Sequence, residues 1–234
     1  MYDPFNVFKI RINGQLILLM LVDRLLELGC EIVQVNTDGV VYRAKNSLRE
    51  GIQEAISEVE RITQLGFEVD EYEAFYQYAI NDYFGVLKDG SIEEKGMFIT
   101  ETKLGKGLSP VVIPKAIIAY FTKHIPVTEF IEKDRDIRDF LMSQAVDKKF
   151  KVIHGEKPVQ RINRFYASTN GSYLYKDNPD DNRDRTNMLT KSGVTILNKF
   201  DDLPIEDRKI NYRYYISEAK KVIADFTEQE LSLF

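Results

Sequence analysis

The sequence predicts an α+β fold, an antiparallel sheet backed by helices followed by a mixed α/β region of short helices and strands. Three observations carry that expectation. Apolar residues recur at helical spacing in two segments near the amino terminus. Runs rich in Val, Ile, Tyr and Phe alternate with Asp-Gly turn signals through Phe98. Pro110, Pro114 and Pro126 then punctuate short helical stretches before a second group of strands. The boundary is expected near residue 108, which divides the chain into regions 1–108 and 109–234.

Gln15 to Leu28 are good helix formers, apolar nearly all round, preceded by Asn13 as a cap and closed by Gly29, which is the pattern of a buried helix. The β-rich runs EIVQV and VVYR flank NTDG, a short hairpin signal. Ser47 and Glu50 have capping-box spacing, and Leu48, Ile52, Ile56, Val59, Ile62 and Leu65 follow at helical spacing up to Gly66. From Phe67 to Phe98 the pattern is that of a β-meander with a turn at Lys88-Asp89-Gly90. Beyond it, VVIPKAIIAYF, VTEFIEK and DIRDFLMSQA read as helices. FKVIH, VQRINRFYAST, SYLYK and TILNKF read as strands, DNPDDNRDR as a polar loop with mobile character, and Tyr214 to Phe226 as a last helix.

At 234 residues with 44% hydrophobic content the chain can supply a packed core. Its longest strongly apolar run, Leu16 to Val22, meets Asp23 and Arg24, short of the roughly 20 residues a bilayer span requires. Lys9 and Arg11 precede that run, but no small-residue cleavage site follows it. No membrane association and a cytoplasmic location are therefore expected. The single Cys30 cannot form an internal disulfide and reads as a small apolar core residue; His124 and His154 offer little for zinc. A formal net charge of −5 disfavours polyanions for the chain as a whole. Charge is unevenly placed, however. Eight acids fall between Glu50 and Glu73, whereas Lys148 to Arg164 holds Lys148, Lys149, Lys151, Lys157, Arg161 and Arg164 against Glu156, so a polyanion should meet the second segment.

An Asp at the tip of two buried strands can present its oxygens to a hard cation, and a following glycine leaves room for a substrate backbone. Asp38-Gly39 has that arrangement, although most Asp-Gly hairpins are only turns. Two-metal phosphoryl transfer needs carboxylates held in this way.

The segment Tyr2 to Arg43, with YDP, INGQ opening a helix and IVQVNTDGVVY, resembles family B DNA polymerases, in particular bacteriophage members, where the second palm carboxylate motif is often NTDG. The resemblance implies that Asp38 is a catalytic, metal-binding aspartate and that Thr37 and Gly39 form its turn. Asn36 stands where the motif usually has a first acid. YAINDYFGVLKDGSIEEKGMF resembles the palm hairpin of the family, whose K-x-Y motif and K-G pair support the primer strand; Tyr83, Lys95 and Gly96 match, and Asn81 replaces the lysine. Read from the residues alone, Tyr83 is as readily a cross-strand packing aromatic and Lys95 a solvated strand charge. KPVQRINRFYASTNGSYLYK resembles a thumb-side segment, which would set Gln160, Arg161 and Arg164 beside Lys148, Lys149 and Lys151 as DNA contacts.

A complete member also has an exonuclease domain, a first palm motif with the other aspartate, and a fingers lysine for the nucleotide triphosphate. None of these occurs in the 234 residues. The resemblance thus implies a palm portion followed by a thumb-like portion. With an amino-terminal polymerase half it would act on primer-template DNA and dNTP with Mg²⁺, and it would be inactive alone. Two other classes compete with that reading: a non-catalytic DNA-binding or interaction module from a truncated gene, and a small metal-dependent nuclease.

Overall fold

A computed structural model describes residues 3–101, 107–177, 185–189 and 191–232, with the side chains of the last helix described through Phe226. The protein is mixed α+β with several antiparallel sheets. By packing it divides into two compact units, Met1–Glu71 and Tyr72–Phe234.

The first unit holds helix α1 (Pro4–Glu27), strands β1 (Glu31–Val35) and β2 (Val40–Arg43), and helix α2 (Arg49–Thr63). α1 starts eleven residues earlier than the apolar run suggests. The Asp3 carboxylate caps it, accepting from the amides of Phe5 and Asn6, and Pro4 fits its first turn. Asn13 is therefore interior and does not cap. Nor is α1 a buried helix. Leu21 and Leu25 face the core with Cys30, Ile52, Ile56 and Val59, and Leu18 is buried as well, while Phe5, Phe8, Ile10, Leu16 and Leu19 are exposed. Its 24 residues are, by length and composition only, apolar enough to cross a membrane, which the Leu16 to Val22 run is not.

α2 packs Ile52, Ile56 and Val59 into the core shared with Ile32, Val40 and Tyr42 of the hairpin. The expected Ser47 cap does not form, because a 3-10 turn over Asn46–Leu48 moves the helix start to Arg49. The helix ends on Gln64 in the left-handed region, two residues before Gly66, and so leaves Ile62 and Leu65 exposed.

The second unit opens with the expected meander, β3 (Tyr72–Ala79), β4 (Asp82–Leu87) and β5 (Ile92–Lys95), paired in that order. Gly90 takes a positive φ in the predicted turn, where Asp89 accepts from Ser91. Helices α3 (Val112–Lys123) and α4 (Val127–Lys133) follow. DIRDFLMSQA is not a helix. Asp136 caps a 3-10 turn over Ile137–Phe140, and strand β6 (Met142–Ser143) follows, its Ser143 amide donating to the Leu108 carbonyl.

Next come β7 (Lys151–His154), β8 (Lys157–Val159), β9 (Arg164–Ser168), β10 (Leu174–Asp177), β11 (Thr186–Asn187) and β12 (Gly193–Ile196), then helix α5 (Tyr212–Ser232). They form a four-stranded sheet, β11-β10-β7-β8, and a three-stranded one, β12-β9-β6. Phe84 and Phe98 of the meander lie in one core with Val112, Ile117, Phe165, Tyr215 and Phe226. Residue 108 is therefore interior to the second unit, and Leu108 belongs to that core. Tyr215, fully buried, donates to the Phe140 carbonyl and accepts from the Ala167 amide, which ties α5 to both neighbours.

Near α4, Asp134 is half-buried beside Asp139, itself ion-paired with Lys115. Burial first, and then the Asp139 charge, push the Asp134 carboxyl from 3.8 up to about 6. Folded protein therefore holds this proton to higher pH than unfolded chain does, so between pH 3.8 and about 6 its contribution to stability falls as pH rises. Asp134→Asn should flatten that decline in thermal unfolding measured across the window. An unchanged slope would place the titration elsewhere.

Candidate nucleic-acid and metal-binding site

The NTDG segment is the tip of the β1–β2 hairpin. Val35 pairs with Val40, so Asn36 to Gly39 form a four-residue loop, not the two-residue Asp-Gly turn that the dipeptide usually signals. Asn36 holds it closed. Its side-chain oxygen accepts from the amides of Asp38 and Gly39, both at 3.1 Å, and its own amide donates to the Gly39 carbonyl at 3.0 Å. Asn and Asp share this acceptor chemistry, so the turn tolerates either at position 36.

With the loop fixed from below by Asn36, Thr37 and Asp38 are exposed, and the Thr37 hydroxyl donates to Asp38 Oδ1 at 3.2 Å. Gly39 is not in the left-handed region, and an added Cβ would meet nothing closer than Asn36 Oδ1 at 3.9 Å. Gly39→Ala should therefore change unfolding stability by no more than about 0.5 kcal/mol in urea denaturation, as for ordinary surface substitutions. A larger loss would show that the loop needs the glycine for its backbone.

Mg²⁺ binds about six oxygens in near-octahedral geometry. Asp38 offers one carboxylate, and among the described residues no group of three or more His, Cys, Asp or Glu side chains is placed to hold a metal. These residues do not by themselves make a divalent-cation site. A nuclease working alone would need further acids beside Asp38.

A second cluster lies at one end of the meander. Tyr83 pairs with Lys95 across β4–β5, and the tight turn Ile80-Asn81, with Asp82 at the start of β4, sits against Gly96. Gly96 has φ +62°, and a Cβ there would lie 2.1 Å from the Asn81 carbonyl oxygen. Asp82 Oδ1 accepts from the Met97 amide at 2.8 Å, closing the corner. The structure thus brings Asn81, Tyr83, Lys95 and Gly96 together. Tyr83 itself is buried, its ring 5.0 Å from that of Phe75, and its hydroxyl donates to Glu93 at 3.4 Å; Tyr72 donates to the same carboxylate. Lys95 is exposed.

The basic stretch is divided. Lys148, Lys149 and Lys151 are exposed at the start of β7. VQRINRFYAST is not one strand: β8 stops at Val159, residues 160–163 bend, and β9 begins at Arg164. Buried Asn163 holds the bend, donating to the Gln160 carbonyl at 2.6 Å and accepting from Asn198 at 3.0 Å. Strand alternation therefore does not decide which way Gln160 and Arg161 face. Arg164 donates to the Asn198 carbonyl and lies over the Phe200 ring at 5.6 Å, whereas Gln160 and Arg161 are exposed. Sequence reasoning missed the loop-holding part of Asn36 and the carboxylate of Glu93. The Asn-x-x-Gly spacing could have indicated the first.

No family model matches the sequence, and no curated protein does. By fold, the chain is similar to the family B DNA polymerase from the hyperthermophilic archaeon Pyrobaculum calidifontis, with a TM-score of 0.45 and 18% identity over 92% of this chain. The match spans 28% of that polymerase.

Proposed function

We propose that this chain is a portion of a family B-like DNA-directed DNA polymerase, in which Asp38 supplies one carboxylate to a Mg²⁺ site completed by residues outside these 234. The observation that carries it is the NTDG loop: Asn36 turns its side chain inward to bind the loop amides, which leaves Asp38 as the outward carboxylate of a rigid hairpin. The sequence around it, IVQVNTDGVVY, resembles the second palm motif of the family. Exposed Lys148, Lys149, Lys151 and Lys95 would meet the phosphates of primer-template DNA, with Arg161 and Gln160 beside them. Arg164 serves the fold through Asn198.

The test is primer extension with Mg²⁺ and dNTPs, by the chain alone and after combination with a polypeptide carrying the first palm aspartate and the fingers lysine. Extension is expected only in combination. A combination giving neither complex nor synthesis overturns the polymerase reading, and templated extension by the nuclease-free chain alone overturns its incompleteness. In duplex binding, Lys148→Ala, Lys149→Ala and Lys151→Ala together should weaken affinity equally for all sequences and lower the salt slope by about one for each phosphate that is no longer neutralised. An unchanged slope would place DNA elsewhere.

A further inference from the structure

The four-stranded sheet β11-β10-β7-β8 has two unlike faces. Val152 and Leu174 are fully buried beneath it, and His154 reaches the Val194 carbonyl at 2.8 Å on that side. The residues that alternate with them point outward. Tyr175 pairs with Ile153, and Ile153 with Pro158, so one row crosses three strands; Tyr173, 45% exposed, lies two residues before Tyr175. The two tyrosine rings are 6.2 Å apart and inclined by 50°, so they are not stacked on one another; Tyr173 is exposed and Tyr175 half-buried. Their separation matches the advance of about 6.6 Å made by two residues of a strand.

Charge settles what such a face would take. From Lys148 to Arg161 the β7–β8 side carries Lys148, Lys149, Lys151, Lys157 and Arg161 against Glu156. Toward the other edge, β10 ends on Asp177, whose carboxylate lies 3.8 Å from Arg185. An aromatic row with cations along one edge suits a polymer of flat rings joined by phosphates whose bases are unpaired. A duplex hides its base faces within the stack, whereas successive bases of a single strand can each cover an aromatic ring.

We propose that the outward face of this sheet binds single-stranded DNA, two consecutive bases stacking on Tyr173 and Tyr175 beside Ile153 and Pro158, with the phosphates directed toward Lys151 and its neighbours. It rests on the polymerase reading only for the class of polymer. None of the tyrosines belongs to the Asp38 hairpin or to the Lys95-Gly96 corner.

The experiment measures fluorescence anisotropy of the full chain with a labelled oligodeoxythymidine longer than the roughly 4 to 16 nucleotides such sites occupy. A duplex and an oligouridine of equal length are run in parallel. Tyr173→Ala and Tyr175→Ala should each weaken single-strand binding by roughly five- to a hundredfold, the span expected for one stacked base, with duplex binding unchanged. Tyr173→Phe and Tyr175→Phe keep the ring and should bind as the parent does, which separates stacking from folding defects. Parental affinity in the alanine variants, an equal loss on duplex, no single-strand binding by the parent, or tighter binding of oligouridine would each overturn the proposal. Failure of primer extension with a partner polypeptide would bear on Asp38 and leave this result standing.

Discussion

Asp38→Asn is expected to abolish primer extension by the assembled polymerase while leaving the hairpin folded. The substitution preserves side-chain size. It leaves intact the acceptor that closes the loop, because that acceptor belongs to Asn36, which binds the amides of Asp38 and Gly39. What it removes is the negative charge that a divalent cation requires. Several kcal/mol of charge stabilisation at about 1.4 kcal/mol per decade correspond to a rate loss of roughly a thousandfold or more. Asn36→Asp makes the complementary test. A carboxylate there can accept the same two amides, so synthesis should stay within about tenfold of the parent. Extension at several Mg²⁺ concentrations, with thermal unfolding of both variants, reads the two positions separately. Near-normal synthesis by Asp38→Asn, or loss that tracks unfolding, would reduce Asp38 to a turn residue.

The hairpin and its loop were legible in the sequence because β-rich runs flanking a polar tetrapeptide depend on local chemistry. The division of labour within NTDG was less so, since both Asn36 and Asp38 can accept turn hydrogen bonds; it is Asn36, at Asn-x-x-Gly spacing, that accepts from the amides of Asp38 and Gly39. Helix α1 was misjudged for a related reason. Apolar residues all round a helix signal burial only when other chain covers every face, and here the core of the first unit takes in Leu21 and Leu25 while Leu16 and Leu19 stay exposed.

The meander and its Asp-Gly turn were readable, whereas the unit boundary was not, because the fusion of Phe84 and Phe98 with Ile117 and Phe226 is a long-range packing fact. Residues 160–163 continue a strand-like run, and buried Asn163, paired with half-buried Asn198, bends them. Tertiary hydrogen bonding overrides propensity at that point. Tyr83 shows the same limit for a site residue: its spacing to Lys95 and Gly96 is local, while its burial against Phe75 and Glu93 depends on cross-strand neighbours.

Gly96 is where the candidate site and the fold make the same demand, and Gly96→Ala should be the most destabilising substitution among the candidate site residues. At φ +62° an alanine pays for left-handed backbone, and its Cβ would sit 2.1 Å from the Asn81 carbonyl oxygen and 2.2 Å from Asp82 Oδ1. Neither neighbour can yield cheaply. The Asn81 oxygen is backbone in the β3–β4 turn, and Asp82 Oδ1 is held by the Met97 amide at 2.8 Å. Strained backbone and overpacking together cost about 2 to 5 kcal/mol, a large fraction of the stability of an ordinary domain. Urea denaturation of the full chain measures it. Lys95→Ala next to it removes only an exposed charge, so it should leave stability within about 0.5 kcal/mol of the parent while weakening duplex binding. If Gly96→Ala unfolds at the parent's urea midpoint, the corner is looser than the Asn81–Gly96 approach implies. If Lys95→Ala binds duplex as the parent does, the Lys95-Gly96 pair is a structural corner that DNA does not touch.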